Sequence, residues 1–274
     1  MSFRHYNTNN LIKYFANKSN CKYAVIQRNL NLLNQSAFYN SANICFTLSS
    51  QFSLKTAKKS SIDQKVPMGS LFLENNFHNF NINNSRNYNN FDVLYLASNE
   101  RHPGGVYDVT LNSSQDYALV LEWLKNVSNF FPKLKVGFKP HPNNIQDYEK
   151  LYFKGTKIIY LDKSLNSYYC ANKSKIILSW SSTIILEMRS INKQAFFLNP
   201  FNRNKLDLSE LKFSDPINIH NYKKLENIIN VIIFKKKSIY NKYIKNINNS
   251  YYCNNSKNYS KKLFYFLKYN KKII

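Results

Sequence analysis

The stretch Val136-Gly-Phe-Lys-Pro-His-Pro-Asn143 and, later in the chain, Ile176-Ile-Leu-Ser-Trp-Ser-Ser-Thr-Ile-Ile-Leu-Glu187 decide how this sequence is read. Each half is a short apolar strand that ends in a polar turn and runs on into a helix. The first turn presents Lys139 and His141, the second Ser181, Ser182 and Thr183 at a helix N-terminus. Unpaired backbone N–H groups and small hydroxyls at such a terminus suit an anion, and Lys and His add positive charge beside it. Two such turns on neighbouring strands would hold a phosphate or diphosphate. Taken singly, each residue also has a plainer reading. Ser182 can be an ordinary N-cap, Glu187 a solvated helix residue, His141 a loop histidine between prolines and Lys139 a surface lysine.

Outward from these turns the alternation is regular. Phe91–Ala97, Lys135–Phe138, Lys157–Leu161, Lys175–Ser179 and Ala195–Leu198 read as strands, with Ile217–Ile219 a short last one. Helices are predicted over Ser114–Phe131, Asn144–Leu151, Ser164–Ala171, Ser182–Ser190 and Tyr222–Phe234. Short apolar strands alternating with helices predict an α/β fold, a Rossmann-like parallel sheet covered on both faces. Ligands in such sheets bind beyond the carboxyl ends of the strands, where both polar turns fall.

Before Phe91 the pattern is sparser. Asn10–Ala16 reads as helix, Lys22–Gln27 as a short buried strand, Ala42–Leu48 as a second strand, Phe52–Lys59 as a helix and Val66–Ser70 as a third strand ending in a turn. Residues 75–90 are rich in Asn without an apolar period and read as a linker. The expected organisation is a partial N-terminal α/β region and linker over 1–90, a nucleotide-donor-binding domain over 91–235 and a basic helical tail over 236–274.

The chain carries 39 Lys and Arg against 15 Asp and Glu, a formal charge of +24. A coding bias toward Asn, Lys, Ile, Tyr and Phe accounts for much of this; attraction to anions, either a phosphorylated donor or an acidic membrane face, is the functional alternative. Lysine dominates and no RNP-like or zinc-finger pattern occurs, so a nucleic-acid partner is disfavoured. No run approaches the roughly 18 apolar residues of a membrane span, and the N-terminus lacks the apolar core of a secretory signal. Cys21, Cys45, Cys170 and Cys253 show no CxxC pairing or metal-ligand spacing. The expectation is a cytoplasmic protein, with peripheral contact at the inner face of the plasma membrane suggested by the basic, aromatic C-terminus.

Lys139-Pro-His-Pro142 after a strand, then Ser181-Ser-Thr183 and Glu187 after the next apolar strand but one, resemble bacterial GT-B glycosyltransferases of surface polysaccharides. The group includes capsule enzymes using CMP-activated sugars, polysialyltransferase-like proteins and CDP-glycerol glycerophosphotransferases. The likeness is strongest over 135–200, in the C-terminal donor-binding domain, where Leu161-Asp162 and Ala195–Leu198 also stand in the family's order. Only about 90 residues precede the regular sheet, so the resemblance implies an incomplete N-terminal domain, and Gln27-Arg-Asn lacks the glycine that relatives carry there.

The resemblance implies roles. His141 would contact the donor phosphate and stabilise the charge that develops as the nucleotide leaves. Lys139, Ser181, Ser182 and Thr183 would bind that phosphate, and Glu187 a ribose hydroxyl pair or the base. Ser98, Asn99 and Arg101, on the loop that ends at Gly104-Gly105, would be cleft contacts. The implied donor is CMP- or CDP-linked and the acceptor a polysaccharide or lipid-linked glycan, with no cofactor and no metal. A nucleotide-sugar 2-epimerase of similar architecture and a non-catalytic domain binding nucleotide or anionic polymer are the alternatives.

Overall fold

A computed structural model describes residues 3–26, 41–48, 61–82, 90–97, 111–142, 148–180, 182–200, 217–234 and 258–269. The chain forms two compact units. The first comprises residues 1–79, 206–208 and 248–274, and the second 80–205 and 209–247.

In the first unit, α1 (Phe3–Lys18) precedes β1 (Ala24–Ile26), β2 (Ser41–Thr47) and β3 (Ser61–Pro67), which pair in parallel in that order. β2 is central and buried along its whole length. Its alternate side chains serve opposite faces. On one face the Asn43 side chain donates to Asn17 of α1 and to Asp63 of β3, both at 2.9 Å, and accepts from the Tyr23 N–H. On the other, Ile44 and Phe46 join Met68, and Tyr259, Leu263 and Phe266 of α8 (Tyr259–Tyr269) pack against them. The last helix thus completes the core of the first unit, and the Glu74 carboxylate anchors it by accepting from both the N–H and the hydroxyl of Ser260.

Two sequence expectations need correction here. The short apolar run predicts a buried β1, yet Ala24 and Ile26 are exposed, because among the described residues it is an edge strand paired only to β2. The Asn-rich stretch from residue 75 reads as linker, but α2 runs over Leu71–Ile82. Gly69, at φ 101°, makes the turn that any side chain would resist. Ser70 then caps the helix, its Oγ accepting from the Leu73 N–H, and buried Leu73 anchors the first turn. The predicted helix Phe52–Lys59 lies outside the described residues.

The second unit holds β4 (Phe91–Leu96), β5 (Val136–Lys139), β6 (Ile159–Tyr160), β7 (Ser174–Ser179), β8 (Gln194–Leu198) and β9 (Asn218–Ile219). All pairings are parallel and the order is β6-β5-β4-β7-β8-β9. The chain therefore builds outward from β4 in one direction, returns, and builds outward in the other. α3 (Leu111–Phe130) lays Val120, Leu121, Leu124 and Val127 on Val93, Val136, Phe138, Ile176 and Leu178, and Leu225, Ile228 and Ile229 of α7 (Tyr222–Ile233) join the same core. The short α4 (Tyr148–Tyr152) is tied to α3 by its buried Glu149, which accepts from the Tyr117 hydroxyl at 2.9 Å. Leu94, Leu96, Ile177 and Phe197 are equally buried but lie outside that cluster. α6 (Ile184–Ser190) connects β7 to β8, and the right-handed rule for parallel crossovers puts it on the face opposite α3. Gly137 is required where it stands, since a Cβ there would lie 2.7 Å from the Phe91 ring. No helix among the described residues is long and apolar enough to cross a membrane.

Candidate functional site

The strand order reverses between β4 and β7, and in sheets of this type such a reversal marks the place where ligands bind, beyond the carboxyl ends of the strands. Leu96 of β4 is in register with Lys139 of β5, and Tyr95 with Leu178 of β7. Lys139 and Ser179 therefore end their strands at the same level on either side of β4, about 10 Å apart. The two turns singled out in the sequence leave one edge, flanking one strand.

Ser179 ties this edge together. It is fully buried; its hydroxyl donates to the Leu96 carbonyl at 2.7 Å and accepts from the Ser182 N–H at 3.1 Å. The end of β4 and the start of the second turn are thus joined by one side chain. Ser179 is not among the site residues read from the sequence, although a small hydroxyl inside Ile-Ile-Leu-Ser-Trp is a usable signal.

The second turn is partly described; Ser181 lies outside the described residues. The N-cap position of α6 belongs to Thr183 rather than Ser182, and the Thr183 side chain makes no capping bond. Ser182 Oγ accepts a long bond, 3.4 Å, from the Ile184 N–H, and its carbonyl accepts from Ile185. Both side chains are half-buried.

Glu187 is not the solvated helix residue of the plainer reading. It is only 3% exposed, and its Oε2 accepts from the Tyr168 hydroxyl at 2.7 Å. Tyr168 stands on α5 (Ser167–Asn172), whose N-cap Asn166 accepts from the N–H groups of Tyr168 and Tyr169. A carboxylate accepts from several donors at once, so one steadied by a tyrosine can also address a ligand hydroxyl or N–H. No spacing rule links Tyr168 to Glu187, so this partner was not legible.

Lys139 is likewise no surface lysine. It is 1% exposed, and its ammonium donates to the carbonyls of Pro140 (2.8 Å) and Lys163 (3.0 Å). Burial pushes its pKa below the ordinary lysine value, with Cys170 and Asp162 acting in the opposite direction. Its ammonium ties the start of the His141 turn to the loop after β6. Asp162 in that loop is exposed; its carboxylate accepts from the Ser164 N–H, which holds its pKa low. His141 is half-buried on the turn itself. Ser98, Asn99 and Arg101 lie outside the described residues. Among the described residues no cluster of three His, Cys, Asp or Glu side chains could hold a metal.

Solved structures share this fold. The UDP-GlcNAc 2-epimerase of Neisseria meningitidis, solved with UDP-GlcNAc, matches over 93% of this chain and 72% of its own, with TM-score 0.59 and 15% identity. S. aureus MnaA, solved with UDP, matches over 100% of this chain and 80% of its own, with TM-score 0.60 and 13% identity. The fold is GT-B-like. The UDP-GlcNAc 2-epimerase of Methanocaldococcus jannaschii shares the same GT-B-like fold over 94% of this chain and 73% of its own, with TM-score 0.59 and 13% identity. At such identities the likeness concerns the fold. The GT-B-like, Rossmann-type architecture expected from the sequence is present, and the likeness does not single out the CMP-sugar capsule enzymes. No protein-family model and no curated protein sequence matches the chain.

Proposed function

We propose that this protein binds a nucleoside-diphosphate sugar at the carboxyl edge of the second unit's sheet and acts on the sugar as a 2-epimerase-type enzyme. The observation that carries the reading is the shared edge: the His141 turn and the Ser182–Glu187 turn flank β4 where the strand order reverses. In this reading His141 faces the diphosphate and offsets its charge. Ser182 and Thr183 offer hydroxyls and N–H groups to the same oxygens, together with Ser181. Glu187, steadied by Tyr168, takes the ribose hydroxyls. Lys139 contributes its charge from below and is a positioning residue for the His141 turn. The structures similar in fold were solved with UDP-GlcNAc and with UDP, which supports a uridine nucleotide as the first ligand to try.

A second reading is transfer of a glycosyl or glycerophosphoryl group from a CMP- or CDP-linked donor to a surface glycan. The order of Lys139-Pro-His-Pro142, Ser181-Ser-Thr183 and Glu187 favours it. The two readings ask the same of the phosphate site and differ in the base and in the fate of the sugar.

Thermal-shift titration with UDP, UDP-GlcNAc, CDP and CMP separates them. A bound nucleotide raises the unfolding temperature by mass action, and UDP or UDP-GlcNAc is expected to give the larger shift, weakened several-fold in affinity by His141→Ala. Chromatography of UDP-GlcNAc incubated with the protein should then reveal the 2-epimer. A larger shift with CMP or CDP would favour transfer, and no shift with any nucleotide would sink both enzyme readings.

A further inference from the structure

Helix α8 has two unlike sides. Tyr259, Leu263 and Phe266 face the core of the first unit. At 100° per residue, Lys261, Phe264, Tyr265 and Lys268 fall on the far side, with Leu267 and Tyr269 on its flanks. Phe264 is 61% exposed, Tyr265 47%, Leu267 47% and Tyr269 65%. Single exposed apolar residues are ordinary on a protein surface, but four large ones on an 11-residue helix make a patch. The patch is laced with cations: the Lys268 ammonium lies 5.9 Å from the Phe264 ring centre and 5.3 Å from that of Tyr269. The sequence around it is uniformly basic, for none of residues 235–274 is acidic and eleven are lysine.

We propose that the outer face of α8 is a docking surface for an anionic lipid bilayer. Phe and Leu side chains gain by leaving water, Tyr rings favour the headgroup level, and lysines lay their stems along the apolar surface while reaching for phosphate. The anionic headgroups complement a segment without a single carboxylate side chain. Because the opposite side of α8 is fixed to the first unit's sheet, the helix can lie flat against a membrane and dip only its rings. Nucleic acid is the other polyanion. It fits less well: Leu267 offers nothing to a base, and the Tyr265 and Tyr269 rings already stack on each other, with centroids 5.8 Å apart. The inference stands apart from the nucleotide-sugar reading.

Co-sedimentation of the full chain with vesicles tests it. The protein is expected to pellet with equimolar phosphatidylglycerol and phosphatidylcholine and to stay in solution with phosphatidylcholine alone. The pair Phe264→Ser with Leu267→Ser should lower the vesicle partition coefficient on the order of tenfold, and so should Lys261→Gln with Lys268→Gln. Lys261, Phe264 and Lys268 point away from the core and Leu267 lies on its flank, 47% exposed, so both variants should melt close to the wild type and keep its nucleotide-induced shift. Wild-type protein that ignores anionic vesicles overturns the proposal, as does binding that neither pair reduces or that is equal on both lipids. A single-stranded oligonucleotide that strips the protein from vesicles and binds the Phe264→Ser, Leu267→Ser variant undiminished would reassign the lysines to nucleic acid. Self-association on sizing, abolished by that same variant and without vesicle binding, would reassign the face to a second copy.

Discussion

The Tyr168 hydroxyl donates to Glu187 across the α5–α6 contact at 2.7 Å, within an environment that leaves the carboxylate only 3% exposed. A hydrogen bond to a charged, buried acceptor is worth more than a neutral one. Tyr168→Phe keeps the ring and deletes only the donor, so it is expected to destabilise the fold by about 1–3 kcal/mol in urea unfolding. If Glu187 holds the ribose, the same substitution should also weaken nucleotide binding, and Glu187→Gln should weaken it further. Unchanged nucleotide affinity in both variants would leave the pair a purely structural one.

Ser179→Ala removes one hydroxyl that serves two backbone groups. Leu96 loses its side-chain donor and Ser182 its acceptor at a buried edge. A stability loss of about 1–2 kcal/mol is expected, with a several-fold loss of nucleotide affinity, because the second turn is no longer pinned to β4. Thermal melts with and without nucleotide separate the two effects.

Lys139 makes a pH-dependent prediction. Burial is the main cause of its lowered pKa, so the unfolded chain retains a proton that the folded one has already released between the folded value and the ordinary 10.5. Where the unfolded state binds more protons, stability rises with pH. Within that alkaline window the wild type should gain stability relative to Lys139→Met, which has no group to titrate there. Parallel urea titrations in alkaline buffers check it; an equal pH slope in both proteins would contradict the buried ammonium.

Gly137→Ala is expected to cost about 1–3 kcal/mol through overpacking against Phe91, whose ring would lie 2.7 Å from the new methyl group. The double variant with Phe91→Leu should recover part of that cost, and a double-mutant cycle measures the coupling. Strict additivity would mean that the strands part rather than the ring yielding.

The second unit was largely legible in the sequence because its strands are short apolar runs with sharp polar ends, such as Phe91–Ala97 and Lys175–Ser179. Their spacing predicts alternation, and alternation predicts a parallel sheet with both turns on one edge. What escaped was decided by partners distant in sequence. Lys139 is buried because Lys163 offers a carbonyl from another loop, and Glu187 because Tyr168 reaches it from a preceding helix. α2 continues through Asn75 and Asn76 because Ser70 caps it and Leu73 is sequestered, which outweighs the poor helix propensity of Asn. The exposure of β1 depends on which strand stands at the edge, a property of the assembled sheet.

The bonds from Ser260 to Glu74 span 186 positions of chain. A ribosome making this polypeptide must therefore translate the whole second sheet before the apolar floor beneath Ile44 and Phe46 receives Tyr259 and Phe266. During that interval the nascent N-terminal segment offers a greasy strand face to its surroundings, and chaperone dependence should end only when the last helix emerges.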